Sequence, residues 1–421
     1  MLHYSLSLDN KSILSILRRT CSHVDGRLLD HGMRVAWLVA RLLEQRGDAY
    51  TPTERRDICM LAVIHDIGAY KTEEIDHMVA FETGPVWAHA IYGSLFLKYF
   101  SPFSALSDVV LYHHADAALL ETLELPPKIR EAAQFISLAD RVDVLLGCAG
   151  IGLDELDKHL REHMDSHWSR EILRLLGQVD ALTPKAEQLE NDGVLYGMLS
   201  TPAFTLDEVD ELFKMLIYII DFRSRYTVTH TITTTSVSKS LAELMGMDEH
   251  TVDLVVNGAL LHDLGKVGIP VEILEFPGKL SVQAMAVMRT HVALTGEILD
   301  DCVTEAVKRV AMRHHEKLDG AGYPLGLTAE ELTPAERVVA VADIVSALCG
   351  TRSYKDAFPK EKVVSIITKM SAEGLIDSGI VAVMVAHFDE VMDEVRVRTA
   401  PLLASYNAIA GEYTTLMNHY A

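Results

Sequence analysis

The chain is predicted to be all-α, and three observations carry that reading. Apolar residues recur at three and four along its length: Val35, Leu38, Val39 and Leu42 follow His31 in this way, and the run from Val252 to Leu261 leads into His262. No segment shows a convincing alternation of apolar and polar residues, the mark of a half-buried strand. One order of histidines and aspartates occurs twice, once in each half, as two copies of one supersecondary unit would give.

The elements follow from that repeat. A first domain is expected over 1–150, its ligand-type residues spread along helical segments. A helical linker follows over 151–204. Its charged part, Asp154 to Arg174, reads as a connecting helix pair, and His159, His163 and His167 recur there every four residues. Such a stripe can bind a metal, but on a charged helix it is more often a solvated face. Thr183-Pro184 and Thr201-Pro202 mark turns. Thr205-Leu206-Asp207-Glu208 reads as a capping box before an apolar run through Ile220. That helix opens the second domain, 205–421, whose part beyond Phe358 is a helical tail broken at Gly374 and Gly379.

With 421 residues, 49% of them hydrophobic, there is material for two domains with cores. The formal net charge of −22 argues against binding of long nucleic acid, which needs basic surface. No apolar run reaches the roughly 18 residues that span a bilayer, and no leader-like start is seen. Cys21, Cys59, Cys148, Cys302 and Cys349 lack paired spacing and suit buried thiols of a reducing compartment. The expected location is therefore the cytoplasm, without membrane attachment. The sequence does not set the oligomeric state.

Two segments carry the chemistry. Leu261-His262-Asp263-Leu264-Gly265-Lys266 puts a histidine, an aspartate and a lysine within one turn of each other at a helix end. His314-His315-Glu316-Lys317-Leu318-Asp319-Gly320-Ala321-Gly322-Tyr323-Pro324 runs two adjacent histidines into a glycine-broken loop. His230, His291 and Asp343 complete the series. A lone His-Asp pair is usually an ordinary hydrogen-bonded pair, but this many in order point to metal. Mixed imidazole and carboxylate ligands suit Mn, Fe, Ni or Zn. Adjacent histidines on a helix diverge by about 100°, so His314 and His315 can share one ion only near a helix end or through different rotamers. Lys266 returns to the face of Asp263, where, while protonated, it cannot be a good metal ligand. Gly265 is read as the residue that ends the helix. Gly320 and Gly322 permit backbone angles denied to other residues, and Pro324 fixes the loop exit.

These motifs, over roughly the second half of the chain, resemble the HD-GYP family, metal-dependent phosphodiesterases that open cyclic dinucleotides. The resemblance implies a two-metal site in which Asp263 bridges. His230, His262 and Asp343 would complete one ion's shell, and His291, His314 and His315 the other's. Two metals held close bind phosphate oxygens and keep a hydroxide between them; Mn, Fe or Ni are the expected ions. It also implies Asp263 and Lys266 as catalytic residues and Arg352, Lys355 and Tyr323 as substrate contacts, with packing the main role of Tyr323. The implied substrate is cyclic di-GMP or 3',3'-cGAMP, and the loop is a candidate surface for a protein partner. Tyr226 stands where some members place a third-metal Glu, which favours two metals. Ser346 stands where many have a second Asp.

The first half repeats the order with His31, His65, Asp66, His89, His113, His114 and Asp140. His31 and His65 are 34 apart, against 32 for His230 and His262; His114 and Asp140 are 26 apart, against 28 for His315 and Asp343. The flank His89-Ala-Ile-Tyr-Gly93 matches His291-Val-Ala-Leu-Thr-Gly296. Ala69 replaces the lysine, Lys71 falls on another face, and Ala115-Asp116-Ala117 replaces the Gly-Tyr-Pro loop. This half resembles the broader HD superfamily. A full ligand set would be costly to bury without metal, so metal binding is expected. A nucleotidase acting on the linear product, a nucleotide sensor or a supporting role are the alternatives for it. A nucleotidase or a non-catalytic nucleotide-binding effector are the alternatives for the whole chain.

Overall fold

The computed structural model describes residues 10–24, 31–69, 87–184, 189, 192–223, 229–276, 278–350 and 357–420. Among them every regular element is a helix, and the only β-type contacts are the isolated bridges Met164–Trp168 and Asp319–Thr328. The all-α expectation holds. In chain order the first ten helices are α1 (Asn10–Val24), α2 (His31–Gln45), α3 (Pro52–Val63), α4 (Trp87–Phe100), α5 (Ser107–Leu111), α6 (Ala117–Thr122), α7 (Pro127–Asp143), α8 (Leu153–Glu162), α9 (Arg170–Leu176) and α10 (Gly193–Ser200). Then come α11 (Leu206–Arg223), α12 (His230–Leu244), α13 (Glu249–Leu261), α14 (Val271–Leu274), α15 (Val282–Leu299), α16 (Glu305–Met312), α17 (Pro334–Cys349), α18 (Lys360–Ala372), α19 (Ser378–Ala386) and α20 (Phe388–Tyr420).

Helix starts are written in the sequence. Thr51 and Glu54 form a capping box with Pro52 in the first turn of α3, and Thr333 and Glu336 do the same for α17. The expected box before α11 is present: the Thr205 amide donates to Glu208 (2.7 Å) and the Glu208 amide to the Thr205 hydroxyl (3.2 Å). The charged segment after residue 151 forms the helix pair α8 and α9. Gly374, at φ +74, breaks the chain after α18 as expected. Gly379 does not break it. It lies in the first turn of α19, where Asp377 caps the Gly379 and Ile380 amides.

The chain divides into two compact units. The N-terminal unit is built on Val24–Glu211 and takes in Ala408–Ala421. Its core holds Val35, Leu38, Val39 and Leu42, each at most 1% exposed, on the α2 face that the sequence period marked. Glu412 joins it by ion pairing with Lys98 (2.7 Å) and by accepting from the Tyr99 hydroxyl (2.5 Å). The C-terminal unit is built on Leu212–Asn407 and takes in Ser12–His23. Val237, Leu241, Val255, Val256, Ala259, Val338, Val341 and Val345 pack its centre against Val363, Ile367 and Met384. Arg19 donates to the Glu297 and Ile298 carbonyls (3.4 Å each), satisfying the C-terminal end of α15. No helix among the described residues is long and apolar enough to cross a membrane.

Candidate metal centres

In the C-terminal unit, α12 delivers His230 at its first residue and α13 delivers His262 and Asp263 just past its end. α15 delivers His291, the turn after α16 delivers His314 and His315, and α17 delivers Asp343. All converge. Asp263 Oδ2 lies 3.2 Å from His230 Nε2 and 3.1 Å from His262 Nε2; its Oδ1 lies 3.5 Å from His291 Nε2 and 4.0 Å from His314 Nε2. Asp343 Oδ1 lies 3.2 Å from His230 Nε2. The ligand atoms of His230, His262 and Asp343 lie within 4.8 Å of one another, and so do those of His291, His314 and His315. One carboxylate thus faces two groups through its two oxygens. α16 ends at Met312, so the adjacent histidines sit beyond the helix, as their sharing of one site requires.

The N-terminal unit reproduces this geometry. Asp66 Oδ2 faces His65 (3.3 Å) and His31 (3.7 Å), and its Oδ1 faces His89 and His113 (3.8 Å each). His31, His65 and Asp140 form one group; Asp66, His89, His113 and His114 form the other.

The donor set fits divalent metal. His65, His113, His262, His291 and His314 each hold Nδ1 within 2.6 to 2.9 Å of the carbonyl three residues earlier. A carbonyl only accepts, so Nδ1 carries the proton and Nε2 keeps a lone pair aimed at the cluster. The buried Nε2 atoms of His65, His113 and His262, both Asp66 oxygens and Asp263 Oδ1 have no hydrogen-bond partner. His114 Nε2 and His89 Nε2 face each other at 3.0 Å. Two ligands of one metal stand about 3 Å apart. Burial holds the pKa of His113 and of His315 down at about 3, so both are neutral donors at pH 7.

A family model described as an HD domain matches residues 28–145, and a second of that description matches 214–380. A protein named 3'3'-cGAMP-specific phosphodiesterase 1, from Vibrio cholerae, is 24% identical over 85% of this chain and 86% of its own length. The 3'3'-cGAMP-specific phosphodiesterase 2 of that organism is 36% identical over 44% of this chain, and the cyclic di-GMP phosphodiesterase response regulator RpfG of Xanthomonas campestris is 31% identical over 52%. The chain spans 36% and 57% of the length of those two. The solved structure of a V. cholerae cyclic GMP-AMP specific phosphodiesterase (V-cGAP3) shares the fold, with a TM-score of 0.52 at 18% identity over 90% of this chain and 97% of its own. Both halves are HD domains, the second of the HD-GYP type.

Several details of the HD-GYP domain differ from expectation. The helix before the His-Asp pair ends at Leu261, not at Gly265, and Lys266 sits in a short 3-10 turn, Leu264–Gly268. Gly265 is needed for a close approach: a Cβ there would lie 1.9 Å from the His291 carbonyl oxygen. Its amide donates to Thr295 Oγ1 (2.9 Å), which in turn donates to the His262 carbonyl (3.2 Å). Gly68 of the N-terminal HD domain approaches His89 in the same way, next to the Gly93 amide, so Gly93 corresponds to Thr295 and not to Gly296. Gly320 has the positive φ expected (+80), but Gly322 does not; a Cβ there would meet Glu316 and Lys317 backbone at 2.4 Å.

Lys266 Nζ lies 2.5 Å from Asp263 Oδ2. In the N-terminal domain Ala69 occupies that place and is fully buried. Tyr323 packs on His315 (ring centroids 4.6 Å apart), and the Arg289 guanidinium lies 4.7 Å from the Tyr323 ring. Arg352 and Lys355, like Tyr226 and Lys71, lie outside the described residues.

Three partners were missed in the sequence. Glu316, 2% exposed, accepts from the Leu325 (2.7 Å) and Leu327 (3.0 Å) amides and so pins the Gly-Tyr-Pro loop. Ser346 Oγ lies 3.0 Å from His230 Nδ1. Its counterpart Asp143, three residues after Asp140, lies 2.8 Å from His31 Nδ1 and binds Arg34 through both oxygens. The second Asp absent from one copy is therefore present in the other, a signal legible from the spacing alone.

Proposed function

We propose that the HD-GYP domain hydrolyses a 3',3'-cyclic dinucleotide to the linear dinucleotide at a two-metal site. The observation that carries this reading is Asp263, whose two oxygens face two separate histidine groups, with Lys266 beside it. His230, His262 and Asp343 would hold one ion and His291, His314 and His315 the other, with Asp263 spanning both. Mixed nitrogen and oxygen donors suit Mn, Fe or Ni. When bound, such ions act as Lewis acids on a phosphodiester and lower the pKa of water.

The chain's own residues do the rest. Hydrogen bonds to carbonyls hold the imidazoles in one tautomer. Lys266 brings a fixed positive charge to the edge of the site, placed to offset charge on the phosphate or the leaving oxygen. Tyr323, packed on His315 and backed by the loop that Glu316 pins, forms one wall. Arg352 and Lys355 remain proposed contacts to phosphate or guanine. Leu325, 64% exposed in the same loop, offers a surface to a protein partner. We place the activity in a reducing cytoplasm, which suits Cys59, Cys302 and Cys349, none of which is in a disulfide.

Because the relative matched over most of the chain is named for cGAMP, the guanine–adenine ring is the first substrate to test, beside cyclic di-GMP. Purified protein loaded with Mn or Fe is expected to open one of the two rings, and the His262→Ala, Asp263→Ala double variant to open neither. Retained activity in that variant would overturn the assignment.

The N-terminal HD domain matches the second site atom for atom around Asp66, which supports a second metal pair there. Without the lysine, the reading it supports is removal of a terminal phosphate from the linear product. Phosphate release that is unchanged in the His65→Ala, Asp66→Ala variant would end that reading.

A further inference from the structure

A second group of imidazoles lies on the surface of the N-terminal unit. His159 sits in the last turn of α8, His163 caps that helix, and His167 closes the turn that follows. The His163 amide donates to the His159 carbonyl (3.3 Å) and the His167 amide to the His163 carbonyl (3.0 Å). Four-residue hydrogen bonding therefore continues past the end of α8 and keeps the three rings on one face. Their centroids are 4.3 and 5.0 Å apart, the second pair stacked within 9°. Ligand histidines of the buried centre in the same unit stand 3.9 to 5.5 Å apart.

Two of the three rings have their nitrogens sorted as they are in that centre. His163 Nδ1 is bound to the His159 carbonyl (2.8 Å), and His167 Nδ1 to the Asp116 carboxylate. In the buried centre His65 and His113 use carbonyls. At His163 and His167, as at His65 and His113, Nδ1 is committed to an acceptor and the lone pair falls to Nε2, the arrangement that outer partners impose on metal-binding histidines. Burial, then the neighbouring His163, lowers the His159 pKa, which favours a neutral ring.

We propose that His159, His163 and His167 form an accessory site for one divalent transition metal of the zinc, nickel or copper class, which imidazole donors suit. The ligand atoms are not gathered as tightly as in the four-residue buried group, and the rings must turn about χ1 and χ2 to close on an ion. The site is accordingly weaker than the buried one. It is tied to the N-terminal centre: Asp116 comes two residues after His114, and the Ala117 amide donates to the His167 carbonyl (3.1 Å). In the HD-GYP domain the stretch after His315 enters the loop that folds Tyr323 back onto that histidine. The N-terminal domain anchors the histidine turn there instead, so an ion on the turn stiffens the segment that carries His114.

The test is equilibrium dialysis of the full chain against buffered free zinc, with metal counted per chain. The His159→Ala, His163→Ala, His167→Ala variant is expected to lose one equivalent from the weaker phase and none from the tighter phase. Copper(II) added to protein whose tight sites are filled should show imidazole nitrogen couplings by electron paramagnetic resonance, absent from the variant. The His159→Gln, His163→Gln variant keeps the His167–Asp116 contact and side-chain bulk, and should lose the same equivalent. Equal stoichiometry in wild type and variants overturns the proposal. Loss in the alanine variant alone also overturns it, because it would report damage to the turn and not loss of ligands.

Discussion

The carboxylate of Asp263 is 4% exposed and carries one oxygen toward each histidine group, a position that no neutral side chain of its size could fill with charge. Burial opposes that charge, but His262, Lys266 and His230 hold its pKa well below the usual carboxylate range. Replacing Lys266 with Ala is expected to lower kcat about 10²- to 10³-fold, the cost of one preorganised charge at a reacting oxygen. Metal content should stay unchanged; loss of metal in step with activity would make Lys266 a structural partner of Asp263. A second expectation concerns protons. Burial lowers the His230 pKa, but hydrogen bonds to Asp263 and Asp343 outweigh it and raise it to about 9. His31, paired with Asp140 and Asp143, is raised to about 10. Both are protonated at pH 7 without metal, so a metal must displace their protons. Loading metal-free protein in weak buffer should release about one proton per domain at pH 7 and progressively less as pH rises through 9 to 10. Release that is flat across this range would show other groups to be the source. Residue types and order were legible here, because metal chemistry restricts ligands to few side chains. The Asp143 and Ser346 partners were harder to read, since a hydrogen bond to Nδ1 leaves only a spacing as its trace.

At the scale of elements, helix ends decide the site. His262, His314 and His315 all lie just past a C-terminus, where the backbone turns and adjacent side chains can converge. Apolar period and the cap at Thr205 showed where helices run, and the box read there begins its helix as expected. They did not show how closely helices approach. Gly265 looked like a helix terminator, but its role is to let the 3-10 turn lie against the His291 carbonyl, and only the packed structure reveals that neighbour. Gly379 misled for a related reason: Asp377 supplies the cap that lets a helix start across it. The Gly-Tyr-Pro loop also depends on a distant partner. Glu316→Ala would leave the Leu325 and Leu327 amides without their acceptor, at about 1–3 kcal/mol for each that stays buried. Amide exchange at both positions should speed up and KM should rise more than kcat falls. Unchanged protection at both amides would show that Glu316 does not hold the loop.

For the whole molecule, the governing quantity is a net charge of −22 on a protein proposed to act on a doubly anionic ring. Bound metals together with Lys266 would make the site locally positive, but the far field repels the substrate. Added salt screens the far field most, since the Debye length is about 30 Å at 0.01 M and about 8 Å at 0.15 M. The second-order rate constant kcat/KM is therefore expected to rise several-fold between these ionic strengths. A fall over that range would mean that the cations at the site dominate the encounter, as they do in proteins that bind long nucleic acid.

The sequence by itself determined that the chain is helical, that one order of histidines and aspartates occurs in it twice, and which fourteen side chains are the candidates for holding metal. Period, caps and ligand chemistry are local properties, and each leaves a pattern in residue order. The tertiary structure alone decided which oxygen of Asp263 and of Asp66 faces which histidine. It alone decided that Ser346 and Asp143 stand behind the first histidine of each copy, that Glu316 holds the loop, and that the turn after His114 is tied to His167. Those are contacts between residues up to 116 positions apart, and their geometry follows from how helices pack and not from any one segment.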